Sequence, residues 1–401
     1  MQSGIRVGSI LGIPLLIDPS WFLVIVLFAF VNSVEWQARY PEWSTVLTWG
    51  TGLVTALLLF ASVLLHELGH SVVALAQGIK VNSITLFMFG GMASIDRESK
   101  TPLRAFLVAI AGPTVSLLLF ILLAGANELF LVQDQPLSII AINLARINLV
   151  LAVFNMIPGL PLDGGQILKA IVWKITGSRY QGVHWAARTG QLLGYLAMAY
   201  GLYTTFSGRG GGLWIALLGW FCARNASNYD RITSYQEALL GLKVSDAMAK
   251  EFRVVEGEST LREFVDQYLL QEERPTFFAA SRGRYQGLVR PEDLQTIERS
   301  LWEQKRLSDI VIPLDQLPTV TEVTPLIQVV KQLERDRLPR VIVLSPAGAV
   351  AGVVDRADAV KAMAQAMKLP LSDADFARLK SEGGYPAGLN LAAIAATIPE
   401  S

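Results

Sequence analysis

The sequence predicts a multi-span α-helical membrane protein of about six transmembrane helices, followed by a cytoplasmic α/β domain pair. Of its 401 residues, 52% are hydrophobic and only 17% are charged, a balance typical of membrane proteins. Long apolar runs end near residue 228, and beyond it charged residues occur every few positions. We therefore expect a transmembrane domain over residues 1–228 and a soluble part after it.

Six segments approach the length of about 20 apolar residues that a membrane span needs. They cover residues 20–34, 47–76, 103–125, 137–157, 187–206 and 211–227. The first and last segments are short, so they are the weaker candidates in the count of six. Before them, "RVGSILGIPLLI" is rich in β-branched residues and glycine, which predicts a short hairpin.

Lysine and arginine in the loops predict the orientation, because these residues concentrate in cytoplasmic loops. If six spans alternate, one side of the membrane receives Arg6, Lys80, Arg97, Lys100, Arg104, Lys169, Lys174, Arg179, Arg224 and Arg231. The opposite loops carry only Arg39 and Arg209, and Arg146 falls inside a span. We therefore expect a multi-pass protein of the cell membrane, with both termini and the soluble part in the cytoplasm.

The second predicted span contains "HELGH", residues 66–70. His66 and His70 are four residues apart and share one face of a helix, as two ligands of a metal ion must. Glu67 lies beside the first of them, where it can act as general base on a water molecule. These polar groups are costly against lipid, so they should face protein or a water-filled cavity. The pattern indicates a zinc site for hydrolysis.

A catalytic zinc site usually takes a third protein ligand and keeps one position open. Asp163, in "FNMIPGLPLDGGQILKAI", is the better candidate, because it follows a span and precedes two glycines that would let the backbone bend. Its alternative role is that of a turn aspartate that accepts backbone N–H groups. His184 is the other candidate ligand; its alternative is a surface histidine at the membrane edge.

With these two motifs in this order, the membrane part resembles the site-2 protease family of intramembrane zinc metalloproteases. The resemblance implies that His66, His70 and Asp163 bind one zinc ion. It implies that Glu67 is the catalytic base. It also implies that Asn155 helps to bind the scissile carbonyl or its oxyanion, whereas its alternative role is an interhelical hydrogen bond.

Two further stretches fit this family. "ITLFMFGGMASI" contains Gly90 and Gly91, and the resemblance implies a strand that pairs with the backbone of an unwound substrate. The alternative is a glycine-containing turn on the membrane surface. "AGPTVS" resembles a family pattern that usually ends in asparagine, where this chain has Ser116. That departure puts in doubt any hydrogen bond that the asparagine normally makes.

The soluble part contains an internal repeat. Residues 241–300 and 305–365 each open with Val/Leu-Ser-Asp and continue with a strand, an amphipathic helix and two strands around a turn. Each then has Gly-Leu-Val or Gly-Val-Val and a closing helix. The repeat resembles a tandem pair of CBS domains. Residues 366–401 form a C-terminal tail, either a loose segment or a short apolar helix on one of the domains.

Many CBS pairs bind adenine nucleotides, and an aspartate at the start of the last helix contacts the ribose. Asp293 and Asp358 match that position. Three residues earlier, where nucleotide-binding members often have serine or threonine, this chain has Arg290 and Asp355. Arg290 would favour a phosphate and Asp355 would repel it. The alternative role of both aspartates is to cap a helix.

These observations together predict a zinc-dependent intramembrane endopeptidase that a CBS pair regulates. Its substrates would be single-span membrane proteins, an adenine nucleotide is a possible effector, and an oligomer could form through the CBS pair. The formal net charge is zero, so nothing indicates a nucleic-acid partner. The alternative is a CBS-gated membrane transporter or channel that uses the polar cluster as a transport site. A metal-binding scaffold without catalysis would need a defective base or ligand, and the motif shows neither.

Overall fold

The computed structural model of the chain describes residues 4–88, 90–96, 98–130, 132–133, 135–208, 210–269, 276–386 and 389–398. Arg97 and Arg209, which the orientation prediction used, lie outside these residues. The chain divides into two compact units, Met1–Thr233 and Ser234–Ser401. This division and the predicted boundary near residue 228 fall in the same helix, Gly212–Gly241.

The first unit is built mainly of long helices. They are α1 (Ser20–Arg39), α2 (Thr45–Ala76), α3 (Pro102–Phe130), α4 (Pro136–Asn155), α5 (Asp163–Thr176), α6 (Arg179–Phe206) and α7 (Gly212–Gly241). Among the described residues, α1 to α4 are long and apolar enough to cross a membrane. Four of the six predicted spans are thus candidate membrane helices. The last two coincide with α6 and α7, which do not meet the same criterion, so the count of six stays a prediction.

A four-stranded sheet accompanies these helices, in the order β1–β2–β3–β4. Its strands are β1 (Ile5–Ile10), β2 (Ile13–Ile17), β3 (Val81–Phe87) and β4 (Gly90–Ile95). The first two form the hairpin that the glycine-rich N-terminal stretch predicts, with Leu11 and Gly12 at positive φ in its turn. Because β4 is the last strand in this order, one of its edges pairs with β3 and the other is the edge of the sheet.

Small residues and interhelical hydrogen bonds hold the membrane helices together. A Cβ atom at Gly69 of α2 would come within 3.0 Å of the Ala111 carbonyl oxygen of α3, so the two backbones approach closely. Asn148 of α4 donates a hydrogen bond of 3.0 Å to Ser62 of α2. Such contacts replace the hydrophobic driving force, which is absent between helices that lie in lipid.

The second unit contains two sheets, of the orders β5–β6–β7–β8 and β11–β10–β9. Its strands are β5 (Phe252–Glu256), β6 (Thr276–Ser281), β7 (Arg284–Val289), β8 (Ile312–Pro313), β9 (Thr319–Thr321), β10 (Arg340–Leu344) and β11 (Val350–Asp355). Its α-helices are α8 (Val244–Ala247), α9 (Leu261–Phe264), α10 (Leu326–Arg335), α11 (Arg356–Ala366), α12 (Asp373–Glu382) and α13 (Leu391–Thr397).

The internal repeat is visible in the strand pairing. In each half, a strand pairs in parallel with the second strand, which pairs antiparallel with the third: β5 with β6 and β7, then β9 with β10 and β11. The halves differ where a closing helix was predicted. The second half ends in the eleven-residue α11, whereas the first ends in a short 3-10 helix, Pro291–Thr296.

The described part of the C-terminal segment is folded onto the second half of this unit. Leu379 of α12 and Leu391 of α13 are buried in the same hydrophobic core as Val330 of α10 and Met363 of α11. The sequence of residues 366–401 is compatible with a loose tail and with a short packed helix. The packing favours the helical alternative, since apolar side chains of both helices help to fill this core.

Candidate active site

Three predicted ligands converge in the first unit. His66 and His70 lie one turn apart in α2, and Asp163 is the first residue of α5. The Nε2 atoms of the two histidines are 3.3 Å apart. The Asp163 carboxylate lies 3.1 Å from Nε2 of His66 and 3.3 Å from Nε2 of His70. Within the described residues, these three form a cluster able to hold a metal ion.

A glycine in α3 leaves the space that this cluster occupies. A Cβ atom at Gly112 would lie 2.2 Å from Nε2 of His70 and 2.7 Å from Nε2 of His66. Any other residue at this position would therefore collide with both imidazoles. Gly112 lies in the "AGPTVS" stretch but was not among the predicted site residues. Nothing in the sequence indicates that this glycine lies against His66 and His70.

The other ring nitrogens of the histidines are held by α3. Nδ1 of His66 lies 2.9 Å from the hydroxyl oxygen of Ser116, which is fully buried. Nδ1 of His70 donates a hydrogen bond of 2.7 Å to the carbonyl oxygen of Val108. The family pattern usually has asparagine at position 116, and the hydrogen bond of that asparagine was in doubt here. Ser116 itself makes a hydrogen bond at this position, with His66. These contacts turn both Nε2 atoms toward Asp163, the arrangement that orients histidine ligands in metal sites.

The donor set fits zinc. Because Nδ1 of His70 carries the proton, its Nε2 presents a lone pair toward the carboxylate when the imidazole is neutral. Such donor atoms repel one another unless a cation lies among them. Two ligand atoms bound to one tetrahedral zinc ion, with bonds of about 2.0–2.1 Å, are about 3.3 Å apart. The observed separations of 3.1–3.3 Å match that spacing.

Asp163 reaches the cluster for a different reason from the expected one. Its two following glycines do not bend the chain; they lie inside the first turn of α5. A Cβ atom at Gly164 would lie 2.3 Å from the Met156 carbonyl oxygen, and one at Gly165 would lie 2.3 Å from the backbone of Gly159. The glycines thus let α5 begin directly against the loop that follows α4, which positions its first side chain.

Glu67 directly follows His66 in α2 and packs against β4. A Cβ atom at Gly91 would lie 2.4 Å from Cγ of Glu67, so only glycine leaves room for this carboxylate. The backbone N–H of Ala93, also in β4, donates a hydrogen bond to it. Gly90, beside it, adopts a φ of +136°, which side chains disfavour. The two glycines therefore serve different needs, one conformational and one steric.

Asn155 and His184 lie outside the cluster. Asn155 is the last residue of α4, half-buried, and precedes the Met156 carbonyl against which Gly164 packs. His184 lies in α6 with its Nδ1 2.6 Å from the Asp230 carboxylate of α7. The structure therefore favours Asp163 over His184 as the third member of the cluster.

The two aspartates that were predicted to bind a nucleotide have different surroundings. Asp293 lies in the short 3-10 helix and pairs at 3.1 Å with Arg290. Asp358, which is buried, lies 2.9 Å from the ammonium group of Lys380 in α12, and Asp355 lies at the same distance. Burial and the neighbouring Asp355 carboxylate raise the pKa of Asp358 to about 6. Asp358 also forms the capping box of α11 together with Asp355, which is the alternative role given for Asp358.

Comparison with known proteins agrees with the resemblance. The sequence profile of Peptidase family M50 matches residues 54–140 and 131–197, and that of the CBS domain matches residues 307–365. The protein named "Putative zinc metalloprotease sll0528" from Synechocystis sp. is 40% identical over 90% of this chain and 96% of its own length. "Zinc metalloprotease MJ0392" from Methanocaldococcus jannaschii is 26% identical over 90% of this chain and 97% of its own length.

Among solved structures, the site-2 protease from Methanocaldococcus jannaschii is similar over 57% of this chain and 95% of its own, with 31% identity and a TM-score of 0.42. The relative from Synechocystis matches nearly the whole length of both chains, so the family assignment covers the membrane and soluble parts together. This chain belongs to Peptidase family M50, the site-2 protease family of membrane zinc metalloproteases, and carries a CBS domain in its C-terminal part.

Proposed function

We propose that this protein is an intramembrane endopeptidase that cuts single-span membrane proteins within or near their transmembrane segment. The observation that carries the proposal is the convergence of the His66 and His70 Nε2 atoms on the Asp163 carboxylate. Glu67 directly follows His66 in the same helix. His66, His70 and Asp163 would hold one zinc ion. Zinc supplies Lewis-acid activation of water and of the scissile carbonyl when it is bound.

The remaining chemistry belongs to this chain's own side chains. Glu67 accepts the proton of the attacking water, and its contacts with β4 place that carboxylate beside the strand. The free edge of β4 can receive N–H and C=O groups of an unwound substrate segment, which lipid cannot satisfy. Asn155, near the start of α5, would hydrogen-bond the oxyanion.

We further propose that the chain spans the membrane six times, with both termini and the CBS pair in the cytoplasm. The excess of lysine and arginine in alternate loops supports this orientation. The domains would then be residues 1–228, 241–300 and 305–365, with residues 366–401 packed as an extension of the last. An oligomer through the CBS pair stays a prediction.

Any adenine-nucleotide effector would bind at Asp293 rather than at Asp358. Asp293 lies beside Arg290, whose guanidinium can attract a phosphate. Asp358 already pairs with Lys380, and the Asp355 carboxylate beside it would repel a phosphate. Nucleotide binding to the Asp358→Asn protein and its loss in the Asp293→Asn protein would support this assignment, and the reverse result would contradict it.

Replacement of Glu67 by glutamine tests the protease proposal. The side chain keeps its size and loses its proton acceptor, so cleavage of a single-span substrate in liposomes should fall about 10²–10⁴-fold. Zinc content should not change, because Glu67 is not among the proposed ligands. Glu128→Gln, at the exposed end of α3, is the matched control and should cleave like the wild type.

The outcome separates the two function classes. Near wild-type cleavage by the Glu67→Gln protein would exclude Glu67 as the general base. If the wild type cuts no candidate substrate but carries metal ions across liposomes, the transporter alternative replaces the protease proposal.

A further inference from the structure

One charged side chain lies in the middle of a candidate membrane helix. Arg146 is ten residues after the first residue of α4, Pro136, and nine before the last, Asn155. At a rise of about 1.5 Å per residue, it is about 15 Å from one end and about 14 Å from the other. The hydrocarbon core of a bilayer is about 30 Å thick, so Arg146 lies near its centre.

Arg146 points away from the helix bundle. Its side chain is exposed, and it forms no hydrogen bond, ion pair or ring contact with any residue that the structure describes. The two asparagines on either side of it in α4 behave differently: Asn143 donates to the Ile139 carbonyl oxygen and Asn148 to Ser62. Arg146 is thus a polar group of α4 whose side chain finds no partner among the described residues.

Toward the C-terminal end of α4, the face that carries Arg146 is apolar. Val150 and Val153 follow it at positions i+4 and i+7, which lie on the same side of a helix. Their side chains are 66% and 63% exposed. A guanidinium carries a positive charge, and placing that charge among lipid tails is costly. From the centre of the helix its side chain is also least able to reach either membrane surface.

A second copy of this chain does not supply the missing charge. Two copies paired through the same face would bring one Arg146 near the other. The acidic residues of α1 to α4 are Glu35, Glu67 and Glu128. Glu67 packs on Gly91, while Glu35 is four residues and Glu128 two residues from the ends of their helices. None of these offers an exposed carboxylate at the centre of the membrane.

We infer that the outer face of α4, formed by Arg146, Val150 and Val153, binds a transmembrane helix of another protein that carries a carboxylate at mid-membrane depth. A guanidinium and a carboxylate form two parallel hydrogen bonds, and neither group is left without a partner in lipid. The two valines provide an apolar surface for close packing beside this ion pair. The inference requires that α4 spans the membrane and is independent of the proteolytic chemistry.

Photo-crosslinking to defined peptides tests this interface. The full-length protein, with p-benzoylphenylalanine in place of Val150, is reconstituted in liposomes at pH 8. Leucine-rich single-span peptides with Glu, Gln or Leu at their centre are then titrated, and the crosslinked fraction is measured. The Glu peptide should reach half-maximal crosslinking at a concentration at least about tenfold lower than the Gln and Leu peptides, because only it pairs with Arg146.

Variants of Arg146 make the result specific. Arg146→Gln should reduce the Glu preference to within about twofold, whereas Arg146→Lys should keep part of it, because lysine retains the charge without the planar fork. The same photoprobe at Leu122, on an exposed face of α3, should show no Glu preference. Equal crosslinking of Glu and Gln peptides, or a preference that survives Arg146→Gln, would overturn the inference. Crosslinking only between two copies of the protein would also overturn it.

Discussion

In the first unit a carboxylate meets two imidazoles, whereas in the second unit two carboxylates meet an amine. Asp163 lies 3.1 and 3.3 Å from the Nε2 atoms of His66 and His70. Asp355 and Asp358 each lie 2.9 Å from the ammonium group of Lys380. His66 and His70 in the first cluster and Asp358 in the second are buried, so an unbalanced charge on these groups would be costly.

The two clusters differ in where the positive charge comes from. Lys380 is a cation of the protein itself, and the two aspartates that it pairs with also cap α11. In the first cluster, α3 holds the histidine Nδ1 atoms and directs the Nε2 atoms toward the carboxylate. That arrangement is stable when a cation is shared among the three donors, as in a zinc site. A buried polar cluster therefore indicates a bound ligand only when the protein's own side chains do not supply the opposite charge that the cluster needs.

Removal of Asp163 tests this contrast most directly. Asp163→Ala takes away the only anionic member of the first cluster, so the protein should lose nearly all of its zinc, about one ion per chain in the wild type. Metal analysis of the purified protein measures the loss. His184→Ala is the matched control, since His184 pairs with Asp230 instead, and it should keep its zinc. Full occupancy in the Asp163→Ala protein would remove this residue from the ligand set.

The sequence predicts the members of the first cluster better than it predicts the residues that hold them in place. The spacing of His66 and His70 specifies a shared helical face, so those side chains could be placed before any tertiary structure was known. The role of Gly112 could not be predicted in this way, because this glycine leaves space for imidazoles that lie more than forty positions away in the chain. The position of Asp163 was recognised, but its two glycines were expected to bend the chain, and their packing depends on the fold.

The second unit shows the same limit. The internal repeat predicted two similar halves, since strand and helix patterns are local. The contact of Lys380 with Asp358 was not predicted, because nothing near Lys380 in the sequence indicates where α12 packs. Four membrane helices followed from apolar length alone, whereas α6 and α7 contain enough polar residues to leave the span count unresolved by composition.

Gly112 offers a second test of the first cluster. In the Gly112→Ala protein, the added methyl group collides with both Nε2 atoms, so zinc affinity and cleavage should fall by about two orders of magnitude or more. Gly125→Ala, in the same helix, is the matched control because a Cβ atom there meets nothing within 4 Å. If both variants cleave a single-span substrate equally well, the space beside the imidazoles is not needed.

Ser116 should have a smaller effect, because it acts through His66. Ser116→Ala removes the hydroxyl that holds Nδ1 and should weaken zinc binding about 10- to 100-fold, the usual range for partners of metal ligands. Competition with a zinc chelator measures this change. Ser116→Asn should restore part of the affinity, whereas Thr114→Ala, two residues earlier at an exposed position of α3, should leave it unchanged. Equal zinc affinities in the Ser116→Ala and wild-type proteins would show that packing alone orients His66.

The smallest effect is expected in the second cluster, where the charge of the carboxylates depends on pH and no metal ion is involved. Burial and Asp355 raise the pKa of Asp358 from its usual 3.8 to about 6, so the folded state favours the protonated carboxyl. The resulting stabilisation is present below about pH 4 and is lost as the pH rises through 6. Local stability around α11 should therefore decrease over this interval, by on the order of 1–3 kcal/mol.

Hydrogen exchange of α11 and α12 in the full-length protein, corrected for the intrinsic rate at each pH, measures this change. Asp358→Asn removes the titrating group, so its protection should be nearly constant between pH 4 and 6, while the exposed Asp373→Asn control should follow the wild type. At pH 7.5, Asp358→Asn also loses the charge that faces Lys380, which offsets part of the relief from burial. If the wild type and Asp358→Asn show the same pH dependence, Lys380 already balances both aspartates. The second cluster would then be complete in its own charges at every pH in that range, which makes its contrast with the first cluster sharper.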